Sequence, residues 1–293
     1  MRNFHIFLLL FPFFLQAQIA QQDLEQLRKY EQELAALSYS IVNDTAQNER
    51  ADACFKFIPK LVEALKVKGS FEYPFDSLNI SILKPADNSF RIFTWQLRWG
   101  NGLFRQYGAI QMNAQDQLKL YPLFDYSDSL ATPETPMLGS ETWYGAIYYN
   151  IYPFKLKGKS YYLLFGFDQN DLWSSKKLID VLHFEKEKPV FGAPVFKFED
   201  TLGNEILKNR FLLEYKKDAG VSLNYSEAEK MIIYDHLVAP EERLADLKFT
   251  YIPDGTYEGF KLKKGKWLHL DKIKTININK NDSPPMPQPL YER

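Results

Sequence analysis

Two periodicities divide the chain, and the change from one to the other falls close to residue 78. Before it, Leu24, Leu27, Leu34, Leu37 and Ile41 recur near one face of a 3.6-residue repeat, with Asp23 and Gln26 spaced as a capping pair. This pattern predicts an amphipathic helix over residues 23–42. A second helix is expected from Asn48 to Val67, with Phe55, Ile58, Val62 and Leu65 on one stripe, Pro59 bending or restarting it, and Gly69 ending it. Beyond residue 78 the period becomes two. Between Phe90 and Trp99, alternation sets Phe93, Trp95, Leu97 and Trp99 on one face and Arg91, Thr94, Gln96 and Arg98 on the other beside Ile92, as in a half-buried strand. Asn101-Gly102 then suits a two-residue turn, with Leu103 to Met112 as the returning strand.

Further strands are expected at 118–124, 143–154, 160–167, 177–185, 190–198, 209–216, 220–225, 230–236, 256–262 and 265–270. No long helical pattern separates them, which points to antiparallel pairing. They gather into groups at 78–124, 143–198 and 209–270, with a long loop from Ser127 to Thr142 between the first two. The fold class is therefore mainly β with an N-terminal helical segment: an antiparallel meander, propeller-like or a sandwich. In domain terms, residues 21–69 form the helical segment and 70–280 a β-rich globular unit. The last stretch, 281–293, is rich in proline and reads as a disordered tail.

The first twenty residues follow a different logic. Arg2 precedes an apolar run from Phe4 to Leu15, broken only by His5 and Pro12, and the small residues Ala17 and Ala20 follow. That layout is a secretory signal peptide, with cleavage expected to leave a mature start between Gln18 and Gln21. The run is shorter than the ~20 residues that span a bilayer, and no later stretch is long and apolar enough, so a soluble, exported chain without a transmembrane segment is expected. A net charge of −1 gives no reason to expect a nucleic-acid partner. The single cysteine, Cys54, cannot form an internal disulfide and reads as a small buried residue, so stability must come from a core that the 16% aromatic content can supply.

Five segments are similar to an uncharacterised family of exported bacterial proteins: Ser70 to Leu78, Phe90 to Leu97, Lys177 to Leu182, Met231 to Leu237 and Pro253 to Trp267. The resemblance implies export and one β-rich unit after two helices. The family has no assigned activity, so it transfers no catalytic residue.

Most chemical templates fail on their spacing. Gly158-Lys159-Ser160 lacks the upstream glycine of a phosphate loop and lies between two strands, which makes it a hairpin turn. His183, His236 and His269 are not spaced three or four apart and no cysteine pair exists, so no zinc site is expected. No Gly-x-Ser-x-Gly elbow occurs. Asp235-His236 and Asp180 with His183 are the acid–base candidates, but neighbouring strand residues face opposite sides, so structural hydrogen bonding is the simpler expectation for all four. Lys261 to Trp267 concentrates lysines on a hairpin, as a solvated turn commonly does. Asp44-Thr45-Ala46, Asp76-Ser77-Leu78, Asp128-Ser129-Leu130 and Asp200-Thr201-Leu202 resemble the Asp-Ser/Thr-apolar acceptor of bacterial O-glycosylation.

The most concentrated polar site is the loop from Asp168 to Trp173. Asp168, Asn170 and Asp171 offer oxygens to a hard cation or a sugar, and Trp173 offers an indole face for stacking. The same residues could equally be turn formers around a buried Trp173. The sequence thus points to a non-enzymatic binding module of the periplasm or envelope that takes an envelope protein or a glycan and needs no cofactor. Its rival is a glycosidase-like hydrolase whose carboxylates converge only in the fold.

Overall fold

A computed structural model of the chain describes residues 19–114 and 117–273. The signal-peptide expectation falls almost wholly on residues 1–18 and the proline-rich tail on residues beyond 273, outside the described residues.

Helix α1 (Gln21–Asn43) and helix α2 (Gln47–Lys66) form a hairpin closed by Leu27, Leu34 and Ile41 against Ala53, Phe57, Leu61 and Ala64. The capping expectation needs correcting. Ala20 occupies the cap position, and Asp23 lies inside the first turn with no side-chain capping bond, where its charge complements the positive end of the helix. Pro59 neither breaks nor restarts α2. The backbone carbonyl it leaves unpaired belongs to Phe55, an exposed position where water can serve. Gly69, at φ +78°, ends the helical segment; a Cβ there would sit 3.0 Å from Ile19.

The β region holds β1 (Ser81–Leu83), β2 (Phe90–Arg98), β3 (Phe104–Met112), β4 (Leu120–Phe124), β5 (Leu138–Gly139), β6 (Ile147–Leu156), β7 (Lys159–Asp168) and β8 (Ser174–Glu185). It continues through β9 (Lys188–Phe191), β10 (Phe196–Glu199), β11 (Glu205–Lys208), β12 (Phe211–Lys216), β13 (Leu223–Ser226), β14 (Met231–Val238), β15 (Ile252–Lys263) and β16 (Lys266–Leu270). The first sheet is a plain meander, β1-β2-β3-β4. The second runs β5-β9-β8-β7-β6, with β12 also paired to β8. The third runs β11-β10-β16-β15-β14-β13, antiparallel except where β10 and β16 lie parallel.

These sheets stack as layers rather than closing into a barrel, which is the sandwich form of the expected class. The helices pack on Phe93, Trp95 and Leu97 of β2. Phe90 and Ile92, from the other face of the same strand, meet Tyr148, Leu164, Leu178 and Phe191 of the second sheet. Leu163, Phe165, Ile179 and Val181 then face Leu223, Ile232, Phe260 and Trp267 of the third. The strand expected to be half-buried is therefore covered on both faces. Arg91 shares the face of Phe93, as its odd number requires, and lies fully buried among the rings of Phe71, Phe75 and Phe93. It donates to the carbonyls of Ser70 and Tyr73 and to Gln111 Oε1, so the charge is held by acceptors and ring faces although burial lowers its pKa.

Two further local readings change. The β2–β3 connection is a five-residue turn closed by Trp99 N–H donating to Leu103 O, with Gly102 at φ +73°, and not a two-residue turn on Asn101-Gly102. The segment read as one strand over 190–198 is cut at Gly192, whose φ is +103°, so β10 leaves for the third sheet while β12 joins the second. The Lys157-Gly158 and Lys264-Gly265 turns are two-residue hairpins with both residues at positive φ, as twisted strands favour.

Candidate functional site

The Asp168–Trp173 loop joins β7 to β8 and is built from its own side chains. Asp168, 5% exposed, accepts from Asn170 N at 2.8 Å and Gln106 Nε2 at 3.2 Å through Oδ1, and from the Tyr144 hydroxyl at 3.2 Å through Oδ2. Burial raises its carboxyl pKa. Asp171 Oδ1 accepts from Trp173 N at 2.7 Å and Ser174 N at 2.8 Å, a turn closed by aspartate. Asn170, at φ 52°, donates to Ser174 Oγ at 2.7 Å. Lys217 braces the loop from below, its ammonium on Gln169 O and its N–H on Trp173 O. Both Asp168 oxygens and Asp171 Oδ1 are thus already committed as acceptors. What faces outward is apolar: Leu172 is 60% and Trp173 68% exposed, so Trp173 is not a core residue.

Leu172 touches the β2–β3 turn. A Cβ on Gly102 would lie 2.1 Å from Leu172 Cδ2, so the two loops interlock only because residue 102 is glycine. Where they meet, a cleft of about 340 Å³ is lined by Trp99, Leu103, Phe104, Arg105, Tyr107, Asp128 and Asn170. Tyr107 is held by stacking on Trp95 at 5.8 Å, and Arg105 faces Asp128 at 4.0 Å. Trp173 is not among the residues that line this cleft; Asn170 is the loop residue that does.

A larger cavity, about 570 Å³, opens between β12 and the face of the third sheet. Its polar wall unites residues that are far apart in sequence. Glu258 Oε2 accepts from the Tyr234 hydroxyl at 2.7 Å and His269 Nε2 at 2.8 Å, while Oε1 lies 3.5 Å from His236 Nε2. Asp254 Oδ2 holds His236 Nδ1 at 2.9 Å. Burial pushes the Glu258 carboxyl up, but the hydrogen bonds from His269 and Tyr234 outweigh it and leave it below the usual carboxylate range. The pairing register of β14 on β15 shifts between Asp235 and Leu237, and this bulge aims His236 at Asp254 and Glu258.

Asp235 does not orient His236: its carboxylate accepts from Ser222 N. Asp180 does not meet His183 either. It pairs with Arg210 Nη2 at 2.9 Å, both side chains fully buried, whereas His183 stacks on Tyr161 at 4.7 Å. The guanidinium lies off the hydrogen-bonding line of the carboxylate, so this contact is an ion pair without an aligned hydrogen bond. Among the described residues, no group of three or more His, Cys, Asp or Glu side chains is arranged to hold a metal ion. Cys54 is buried under Trp95, and burial raises its thiol pKa. Thr45, Ser77, Ser129 and Thr201 are all exposed on turns. No described helix is long and apolar enough to cross a membrane.

Compared with family models, curated proteins and solved structures, the chain matches none of them.

Proposed function

We propose that this chain is an exported, non-enzymatic binding module of the cell envelope, and that it takes a glycan in the cleft beside the Asp168–Trp173 loop. The observation that carries this reading is Trp173, an indole two-thirds exposed on the same loop that lends Asn170 to a cleft lined by Trp99, Phe104 and Tyr107. A pyranose ring lays its C–H face on such rings, and its hydroxyls suit the planar polar groups of Asn170, Asp128 and Arg105. The internal hydrogen bonds of the loop support the reading, because they hold Leu172 and Trp173 outward without help from a ligand. The export layout of the first twenty residues and the resemblance to an exported family point to the envelope.

The hydrolase alternative is less well supported. A glycosidase of the usual kind keeps one carboxyl protonated near neutral pH, and Glu258, at the centre of the larger cavity, is shifted the other way. The test is a thermal-shift and calorimetric screen of oligosaccharides against the mature chain, repeated with Trp173→Ala and Asn170→Ala. A ligand at a hundred times its Kd adds about 2.7 kcal/mol. Loss of that gain in Trp173→Ala is expected, and a glycan whose stabilisation survives both substitutions would overturn the assignment.

A further inference from the structure

The larger cavity shares no lining residue with the cleft beside Asn170, and its charged groups are unevenly partnered. Its three lining carboxylates, Glu134, Glu214 and Glu258, and its three lysines, Lys176, Lys208 and Lys248, come from distant parts of the chain, and their formal charges cancel. Their partners do not. Lys208 is spent on Glu134 at 2.8 Å, and Glu258 is occupied by His269, Tyr234 and His236. Glu214 accepts the Ser174 hydroxyl at 2.7 Å. Lys248 lies over the Tyr251 ring at 4.0 Å and donates to its hydroxyl, so it meets no carboxylate. Lys176 makes no ion pair or hydrogen bond among the described residues, although Glu214 stands opposite it in the β8–β12 register and Asp168 in the β7–β8 register. Lys176 and Lys248 thus remain without an ion pair, while Glu258, still a carboxylate, is enclosed by His269, Tyr234 and His236.

The rest of the wall is apolar. Phe198, Phe211, Leu212, Leu237 and Tyr251 face the space, and about 570 Å³ falls within the range of about 300–1,000 Å³ that seats small molecules. An incoming cation would have to compete with two imidazoles and a hydroxyl for Glu258. An incoming anion finds the Lys176 ammonium without an ion pair or hydrogen bond among the described residues. We propose that this cavity is a second binding site, for an amphipathic carboxylate whose acid group pairs with the half-buried Lys176 ammonium and whose apolar body lies between Phe198, Phe211 and Tyr251.

Three probes of equal length separate the alternatives by titration calorimetry: octanoate, octanol and octylammonium. Octanoate is expected to bind one to one, octanol at least about tenfold more weakly, and octylammonium no more tightly than octanol. Lys176→Gln should weaken octanoate about tenfold and leave octanol unchanged, whereas Lys176→Arg keeps the preference. Trp173→Ala, at the other site, should change nothing, which keeps this proposal separable from the glycan assignment. The proposal is overturned if octanoate does not bind at about 10 mM, if octanol equals it, if octylammonium binds most tightly, or if a folded Lys176→Gln binds octanoate as the parent does. Should Lys176→Gln fail to fold by circular dichroism, the ranking of the three probes on the parent chain decides alone.

Discussion

Asp180 and Arg210 offer the sharpest test of how this fold is held together. Both side chains have no solvent exposure, and the ion pair at 2.9 Å fills the gap where β8 changes partner from β12 to β9. Asp180 keeps two other donors, the Tyr148 hydroxyl at 3.3 Å and Val181 N at 2.9 Å. Arg210 keeps only the Pro133 carbonyl and the face of the Tyr144 ring, while its Nε has no partner. Asp180→Asn preserves shape but strands a buried guanidinium, a change that costs about 3–5 kcal/mol. Arg210→Met leaves a carboxylate with two donors, so the loss should lie at the lower end of that range, about 3 kcal/mol. Replacing both, as Asp180→Leu with Arg210→Met, removes both charges from the interior but takes the partners of the Pro133 carbonyl and the Tyr148 hydroxyl, so the double variant should lose clearly less than the sum of the singles. Against a domain stability of about 5–15 kcal/mol, either single change is conspicuous. Urea unfolding followed by tryptophan fluorescence and far-ultraviolet circular dichroism measures all four proteins. Single variants within about 1 kcal/mol of the parent, or a double variant as unstable as the sum of the singles, would refute the reasoning.

Gly259→Ala should destabilise by about 1–3 kcal/mol or more in the same assay, because a Cβ there would lie 2.2 Å from the backbone oxygen of Ile232. Glu258 is held below the usual carboxylate range, so it contributes stability above its unfolded pKa that is lost as pH falls through the lower folded value; Glu258→Gln should flatten the stability curve below about pH 4. Asp168 has the opposite sign: burial raises its carboxyl, stability is lost as pH rises through the folded value, and Asp168→Asn should be the more stable protein near neutral pH by thermal melting.

The element boundaries were largely legible because the signals are local. The helices expected over 23–42 and 48–67 appear at Gln21–Asn43 and Gln47–Lys66, and most period-two segments became strands. Sequence and structure part where a residue's chemistry and its position in the period disagree. The charge of Arg91 points to the polar face, but counting by twos places it beside Phe93, and the structure follows the count. The Asp168–Trp173 loop was likewise half legible. Its aspartates close turns, as their side-chain chemistry allows, and only the surroundings determine that Trp173 points outward. The histidine cluster was illegible for another reason. Tyr234 and His236 alternate on β14, and Asp254 and Glu258 lie on β15, but nothing in either segment states the register that sets Tyr234 opposite Glu258, still less the bulge that re-aims His236.

The least legible event is the exchange of strands between sheets, and it explains both the buried ion pair and the second cavity. Along one edge, β8 pairs with β12 as far as Ile179 and with β9 only from Leu182, so the ladder changes partner around Asp180. Gly192 N donates to Val181 O across that gap, and Arg210, just before β12 begins, brings its guanidinium to Asp180 inside it. A buried charge pair is a costly way to fill a seam, yet an apolar plug would leave the backbone of the 131–136 loop without the donor that Arg210 gives to Pro133. Because β12 sits on the second sheet while its sequence neighbours belong to the third, residues 211–214 form a wall between the two, and the space behind it is the cavity that Lys176 and His269 line. Arg210→Met should therefore weaken octanoate binding through the loosened Pro133–Glu134 roof. Asp180→Asn, which leaves that tie in place, should weaken it less.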